Sequence, residues 1–376
     1  MQSISADKIF DGYQFLEAHL AIGIDEIGTI ISIHQKNENT IHYDGMLLPG
    51  MINCHCHLEL SHLKNELPEK TGLLGFIKNI VSKRTDFSPA FIQEKIVEAE
   101  KEMIQNGIVA VGDISNGLDT FAIKNKTNIY YHTFVECFGL DENYASTIIE
   151  KAKYIKNEFE KYSNASIVLH APYSVTEKLI EEIKNESTQK IGTIHNQETS
   201  SENELFEKGT GAMKDFFTQA FPITPQWNAT NKTSLQNYFS HFKSFKNSIL
   251  VHNTFTSKTD IDFAKSIDTN TFWCLCPNAN IYIENALPNA GLLYQENCQV
   301  VFGTDSLASN HALNIYEEMK IIQQHFPQIP FEKLLQSITA VGAKALGIDE
   351  QFGSFEVGKK PGIVLIKNDK EISVIK

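Results

Sequence analysis

The sequence predicts an α/β protein: a (β/α)8 barrel with a small discontinuous β-sandwich built from both chain ends. Three observations lead there. After Pro49, eight short apolar or β-branched runs alternate with longer amphipathic stretches, the pattern of parallel βα units. Several of those runs end in a single histidine or aspartate, and a parallel barrel gathers such strand ends at its C-terminal rim. The length, 376 residues, suits one barrel of about 250 residues plus a smaller module.

Taken in order, residues 1–49 hold two β-branched runs, 17–24 and 28–33, separated by Asp, Asn and Gly, and read as strands joined by turns. Residues 48–59 carry the first barrel strand, ending at His55 and His57. Residues 89–105 read as a helix and 107–113 as the next strand. Six further strands, 128–138, 166–170, 190–195, 248–252, 271–276 and 299–305, bring the number to eight. Residues 209–231, rich in Thr, Gln, Phe and Pro, read as a long loop, of a kind that often serves as a lid. From residue 353 short strands and turns return, so 1–49 and 350–376 are expected to pack as one β-sandwich domain beside a barrel of 50–349. No internal repeat or low-complexity tract interrupts this plan.

Composition narrows the function classes. A hydrophobic content of 42% and a charged content of 21% are those of a globular protein. No window approaches the roughly 18 apolar residues of a membrane span. The net charge of −13 disfavours nonspecific binding to nucleic acid or acidic lipid and suits a small neutral or cationic substrate. Residues 1–8 lack the basic-then-apolar layout of a signal peptide, and six cysteines in so long a chain are no disulfide framework, so a cytoplasmic location is expected.

The chemistry concentrates at strand ends. His55 and His57 lie two apart, so a strand directs both imidazoles to one face. The strand 190–195 ends at His195, with Glu198 three residues on. The strand 248–252 ends at His252, and the strand 299–305 ends at Asp305. His55, His57, His195 and Asp305 offer three borderline nitrogen donors and one oxygen donor, a set that suits zinc, with iron as the alternative. Cys54 and Cys56 alternate with the histidines and are expected to face away from them into the barrel wall, as are Cys274 and Cys276. A four-cysteine metal site is disfavoured, because Cys-x-Cys is tighter than the usual ligand spacing.

The order His-x-His, His, His, Asp resembles that of the amidohydrolase-superfamily TIM barrels, and the likeness runs over nearly the whole chain, through 339–347 and 353–359. Within that superfamily the chain is similar to metal-dependent deaminases of amino-purines and related heterocycles, including aminodeoxyfutalosine, adenosine and guanine; His57-Leu58-Glu59 leans toward the aminodeoxyfutalosine branch. The resemblance implies one divalent metal, since relatives with two bridge them by a carboxylated lysine on the fourth strand and 166–170 has no lysine. It implies metal-activated hydroxide attacking an amine-bearing carbon, with release of ammonia. Asp305 would accept a proton, Glu198 would shuttle one to a ring nitrogen, and His252 would orient the water or polarise the tetrahedral centre. His170 stands where deaminases carry a substrate-contacting histidine, and Glu59 and His62 are candidate substrate contacts on the first βα loop. The chain departs from the pattern at Ala279, where relatives carry Ser, and at Lys360-Pro361-Gly362-Ile363-Val364, where they carry Ala-Asp-x-Val. Two other readings stand beside the deaminase: a cyclic-amide or triazine hydrolase of the same fold, and a non-catalytic scaffold. Members of the superfamily commonly form homodimers; the sequence itself leaves the oligomeric state open.

Overall fold

The computed structural model describes residues 2–186, 190–267 and 270–375. Met1 and Lys376, at the ends of the expected terminal module, and 187–189 and 268–269, inside the expected barrel span, lie outside the described residues.

Eight parallel strands form the barrel: β5 (Met51–Cys56), β6 (Ile108–Ser115), β7 (Tyr130–Cys137), β8 (Asn164–Leu169), β9 (Ile191–Asn196), β10 (Asn247–His252), β11 (Asn270–Leu275) and β12 (Gln299–Phe302). They pair as two runs of four, β5-β6-β7-β8 and β9-β10-β11-β12. Backbone hydrogen bonds join the runs at both seams. His195 N donates to His170 O at 2.9 Å, and Thr304 N donates to His55 O at 3.0 Å beside a parallel bridge between Cys56 and Asp305. The ring therefore closes, as the alternation of strands and helices requires.

The helices form for local reasons that the sequence states. Pro89–Gln105 starts where Ser88 accepts a hydrogen bond from Phe91 N and Pro89 supplies a preset φ. Its buried residues, Ile96, Ala99, Glu100 and Met103, fall on one face. Such helix faces meet the outward side of the barrel strands in one large cluster containing Cys56, Val111, Val135, Leu169, Leu250 and Phe302. The barrel interior is a second cluster, with Ile52, Cys54, Val168, Val251, Cys274 and Val301, closed from one end by Ala343 and Leu346.

Cys54 in that interior cluster departs from the sequence expectation, and so do Cys274 and Cys276. The cause on β5 is a bulge: the four residues from Asn53 to Cys56 run beside the three from Val111 to Asp113. The extra residue breaks the strict alternation, so Cys54 points inward although it neighbours His55, while Cys56 points to the helices.

Both chain ends enter one six-stranded sheet, in the order β14 (Glu371–Ile375), β13 (Ile363–Lys367), β4 (Thr40–Pro49), β1 (Gln2–Ile9), β2 (Leu20–Ile24), β3 (Ile30–Gln35). It carries its own core of Ile4, Ile22, Leu47, Phe355 and Leu365, while Met46, Leu48, Val364 and Ile366 join the outer barrel cluster. Gly50 turns the chain from β4 into β5 and donates to Pro361 O at 3.2 Å. A Cβ there would meet Val109 Cγ1 at 2.3 Å and Pro361 O at 2.6 Å, so glycine is required by the close approach of the sheet to the barrel. No described helix is long and apolar enough to cross a membrane.

Candidate active site and metal centre

The strand-end residues converge at one rim. His57 Nε2 lies 3.2 Å from His55 Nε2 and 3.2 Å from His195 Nε2. Asp305 Oδ1 is 3.6 Å from His57 Nε2 and 3.7 Å from His55 Nε2. His252 joins the same group, since one ring nitrogen each of His55, His195 and His252 lie mutually within 4.8 Å. All five side chains are buried.

Burial sets the charge of these groups. Desolvation holds His55, His57 and His252 well below the usual imidazole pKa and brings His195 down to about 4, so all four are neutral near pH 7. The tautomer of His195 is fixed as well, because its Nδ1 is 2.7 Å from His170 O and donates there, which leaves a lone pair on Nε2. Neutral imidazole nitrogens crowded at 3.2 Å beside a carboxylate make a poor hydrogen-bond cluster and a good set of ligands for a divalent cation. The residues present therefore fit the metal that the sequence suggested.

The rim is held under backbone strain. His252 and Asp305 occupy the left-handed region (φ 73° and 55°), as do Gln197 (46°) and Asn253 (59°), at a cost of about 1–2 kcal/mol for each non-glycine residue. Specific bonds hold them there. Asn253 Nδ2 donates to Leu250 O and Cys274 O, and its Oδ1 accepts from Asn196. Ser309 Oγ donates to Asp305 Oδ2 at 2.7 Å. Glu202, on the helix Ser200–Lys208, accepts from Gln197 N and Glu198 N. Glu318 accepts from Asn278 and Asn310 and so ties the loops after β11 and β12 together.

A cavity of about 730 Å³ opens above these side chains and includes His57, Glu59, His170, His195, Glu198, His252 and Asp305 in its wall. Glu198 Oε1 lies 3.7 Å from His252 Nε2. Burial first, then the neighbouring Asp305 and Glu202 carboxylates, push its pKa well above the usual range, which favours its protonated form. Asp305 is raised by burial to about 6, with the Ser309 hydroxyl opposing. His170 Nδ1 is hydrogen-bonded to Ser174 Oγ at 2.7 Å, that hydroxyl donating to Ala171 O, and burial lowers the His170 pKa to about 4.

His62 stands apart from the other expected residues. It is buried, with its ring 5.3 Å from that of Phe87, and is absent from the cavity wall. Ala279 is fully buried in the interior cluster, and its neighbour Asn280 approaches His252 Nδ1 at 3.4 Å. The segment read as a long loop contains the helix Ala212–Ala220, which brings Phe216 and Phe217 to the cavity. Its apolar spacing, Met213, Phe216, Phe217, Phe221, is helical but too short to stand out.

Several wall residues gave no sequence signal. Glu136 is the next-to-last residue of β7, inside a run read only as a strand, and Asn116 and Arg84 lie on loops. Asn116 N donates to Glu59 Oε2 at 2.9 Å and Asn116 Nδ2 to Glu136 Oε2 at 3.2 Å. Arg84 Nη2 is 3.6 Å from Glu59 Oε1. Only the single acid in an otherwise apolar strand end, Glu136, could have been flagged by the rule that picked out the histidines.

Comparison with known proteins gives the chain its family. A profile of the amidohydrolase family matches residues 46–376. The chain is 28% identical to an aminodeoxyfutalosine deaminase of a Nitratiruptor species over 91% of its own length and 85% of the relative's. It is 26% identical to an adenosine deaminase of Helicobacter pylori, over 84% and 78% of the two chains. Among solved structures, Helicobacter pylori aminofutalosine deaminase in complex with methylthio-coformycin superposes with a TM-score of 0.83 at 22% identity, covering 99% of this chain and 94% of that one.

Proposed function

The chain belongs to the amidohydrolase family, and on that premise we propose that it is a metal-dependent hydrolytic deaminase of an amino-substituted heterocycle. It is a hydrolase of carbon–nitrogen bonds other than peptide bonds, in line with its deaminase relatives. The observation that carries the reading is Glu198, a buried carboxyl 3.7 Å from His252 whose protonated form burial favours, facing the same cavity as the cluster of imidazole nitrogens and Asp305.

In this reading His55, His57, His195 and Asp305 hold one divalent ion, zinc before iron. When bound, the ion supplies the Lewis acidity that brings the pKa of water from about 15.7 to about 7. Asp305 Oδ1 takes a proton from the attacking water, and the Ser309 hydroxyl keeps that carboxylate aimed. Glu198 gives its proton to the ring nitrogen next to the amine-bearing carbon. Oxygen adds to that carbon, Asp305 returns its proton to the amine, the carbon–nitrogen bond breaks to release ammonia, and the proton left on the added oxygen passes to Glu198 as the carbonyl forms. His252, neutral and 3.7 Å from Glu198, orients the attacking oxygen. His170 and Glu59 contact the substrate. The heterocycle is purine nucleoside-like, in keeping with the similarity to aminodeoxyfutalosine and adenosine deaminases. Residues 50–349 form the catalytic barrel, and 1–49 with 350–376 the supporting β module. The six free cysteines suit a reducing cytoplasm.

The test is metal analysis of the purified protein, followed by an ammonia-release screen over amino-purines, pterins and amino-pyrimidines beside cyclic amides and chlorotriazines. About one metal per chain, with chelator-sensitive ammonia release from an amino-heterocycle, is expected. Turnover of cyclic amides or triazines alone would replace the deaminase by a sister hydrolase. A metal-free, inert protein would leave only a scaffold.

A further inference from the structure

Two buried carboxylates at the cavity wall have no part in the deamination steps. Asn116 ties them together, its backbone N–H on Glu59 Oε2 and its side-chain amide on Glu136 Oε2. Each then has one oxygen left. Glu136 Oε1 is buried without a hydrogen-bond partner. Its near neighbour, His195 Nδ1 at 3.5 Å, is committed to His170 O at 2.7 Å. Glu59 Oε1 faces Arg84 Nη2 at 3.6 Å. All four residues, Glu59, Arg84, Asn116 and Glu136, line the cavity.

We propose that Glu136 and Glu59, bridged by Asn116, form a sugar-reading subsite that accepts hydrogen bonds from the vicinal hydroxyls of a glycosyl group carried by the amino-heterocycle. The inference rests on the deaminase reading and deepens it. Glu136 Oε1, which lacks a hydrogen-bond partner, and Glu59 Oε1, which faces the Arg84 guanidinium, stand as acceptors, so what completes them must bring donors. A buried acceptor left unpaired destabilises the fold, and a substrate hydroxyl that satisfies it removes that cost. The donors are neutral rather than cationic, because the Arg84 guanidinium already stands at the pair and would repel a second positive charge. The cavity, about 730 Å³, has room for a substituent beyond a heterocycle. Because Asn116 fixes the two carboxyls through different groups, it sets their separation, and two adjacent hydroxyls on one ring match a pair of acceptors so held.

The experiment measures ammonia release, as kcat/KM, from adenine and from two nucleoside pairs: adenosine and 5′-methylthioadenosine, each beside its 2′,3′-dideoxy counterpart. Removing both hydroxyls from the better nucleoside is expected to cost the native enzyme on the order of 10²-fold, since a site built for hydroxyls is left with unpaired groups by the analogue. In Glu136→Gln the ratio between the diol substrate and its dideoxy partner is expected to fall to within about threefold. Asn116→Ala, which releases both carboxyls, should lower the same ratio and stands in if Glu136→Gln fails to fold; metal content and thermal midpoint are read for each. A native ratio near one, or a variant that slows both substrates equally, would overturn the subsite. So would release from adenine, pterins or pyrimidines with none from any nucleoside, although the deaminase reading would then survive. Ammonia from no amino-heterocycle would sink that reading itself.

Discussion

Among the described residues histidine meets carboxylate within metal-binding distance at several places, and two of them, one in the terminal sheet and one at the barrel rim, are opposites. In the terminal sheet, Asp7, His42 and Asp44 offer ligand atoms within 4.8 Å of one another, all on exposed residues. Asp7 accepts the Gly45 N–H at 2.7 Å, and His42 takes the Ser5 hydroxyl on one side of its ring and Asp7 on the other. At the barrel rim the imidazole nitrogens of His55, His57 and His195 face one another, buried and neutral, on strand ends that include two strained residues, His252 and Asp305. Proximity is common to both. What separates them is cost: the sheet cluster is satisfied and solvated, whereas the rim carries desolvation and backbone strain that the fold keeps only because surrounding bonds over-determine them.

The largest expected effect comes from exchanging the two clusters' fates. Asp305→Asn is expected to take metal stoichiometry from about one to near zero and ammonia release to background, as is His57→Asn. His42→Asn should leave both unchanged. Elemental analysis with a steady-state assay decides it, and loss of metal on changing His42 would break the comparison.

A smaller effect separates proton transfer from metal binding within the rim. Glu198→Gln keeps the shape of the side chain and removes its titratable proton. Metal content should stay near that of the native protein while kcat falls by about 10²–10⁴-fold, the usual worth of a positioned acid or base. A near-native rate would remove Glu198 from the chemistry.

The sequence shows the rim because each of its strands advertises itself: an apolar run, then one polar residue at the end. That rule located His55, His57, His195, His252 and Asp305, and with them the barrel. It failed where structure breaks the rule's own premise. Cys54 lies inside the barrel because the bulge between Asn53 and Cys56 shifts the alternation by one, and a period of two cannot register an insertion. Glu136 hides near the end of β7 between Val135 and Cys137, in a run read only as a strand. Asn116 and Arg84 come from loops, where position depends on the folded scaffold and not on local pattern. Glu202 and Glu318 act on backbone groups of other segments, a relation that leaves no spacing in the sequence.

The smallest effect tests whether burial alone, without function, produces the rim's electrostatics. His132 lies on β7, four residues before Glu136, buried with its Nε2 2.7 Å from Ser166 Oγ and outside the metal cluster. Burial, then the Lys190 and Lys124 charges, lowers its pKa to about 3. Since this lies below the unfolded value of about 6.5, its contribution to stability is full above pH 6.5 and is lost as pH falls from there toward 3. The slope is at most one proton, ~1.4 kcal/mol per pH unit. His132→Gln retains a partner for Ser166 but cannot take up a proton, so the stability lost between pH 7 and pH 5, read from denaturant midpoints, should shrink by up to about 2 kcal/mol. An unchanged loss would mean that His132 takes up as much proton folded as unfolded over this range, so that burial does not hold it neutral, and burial would then no longer suffice to explain the neutral imidazoles at the rim.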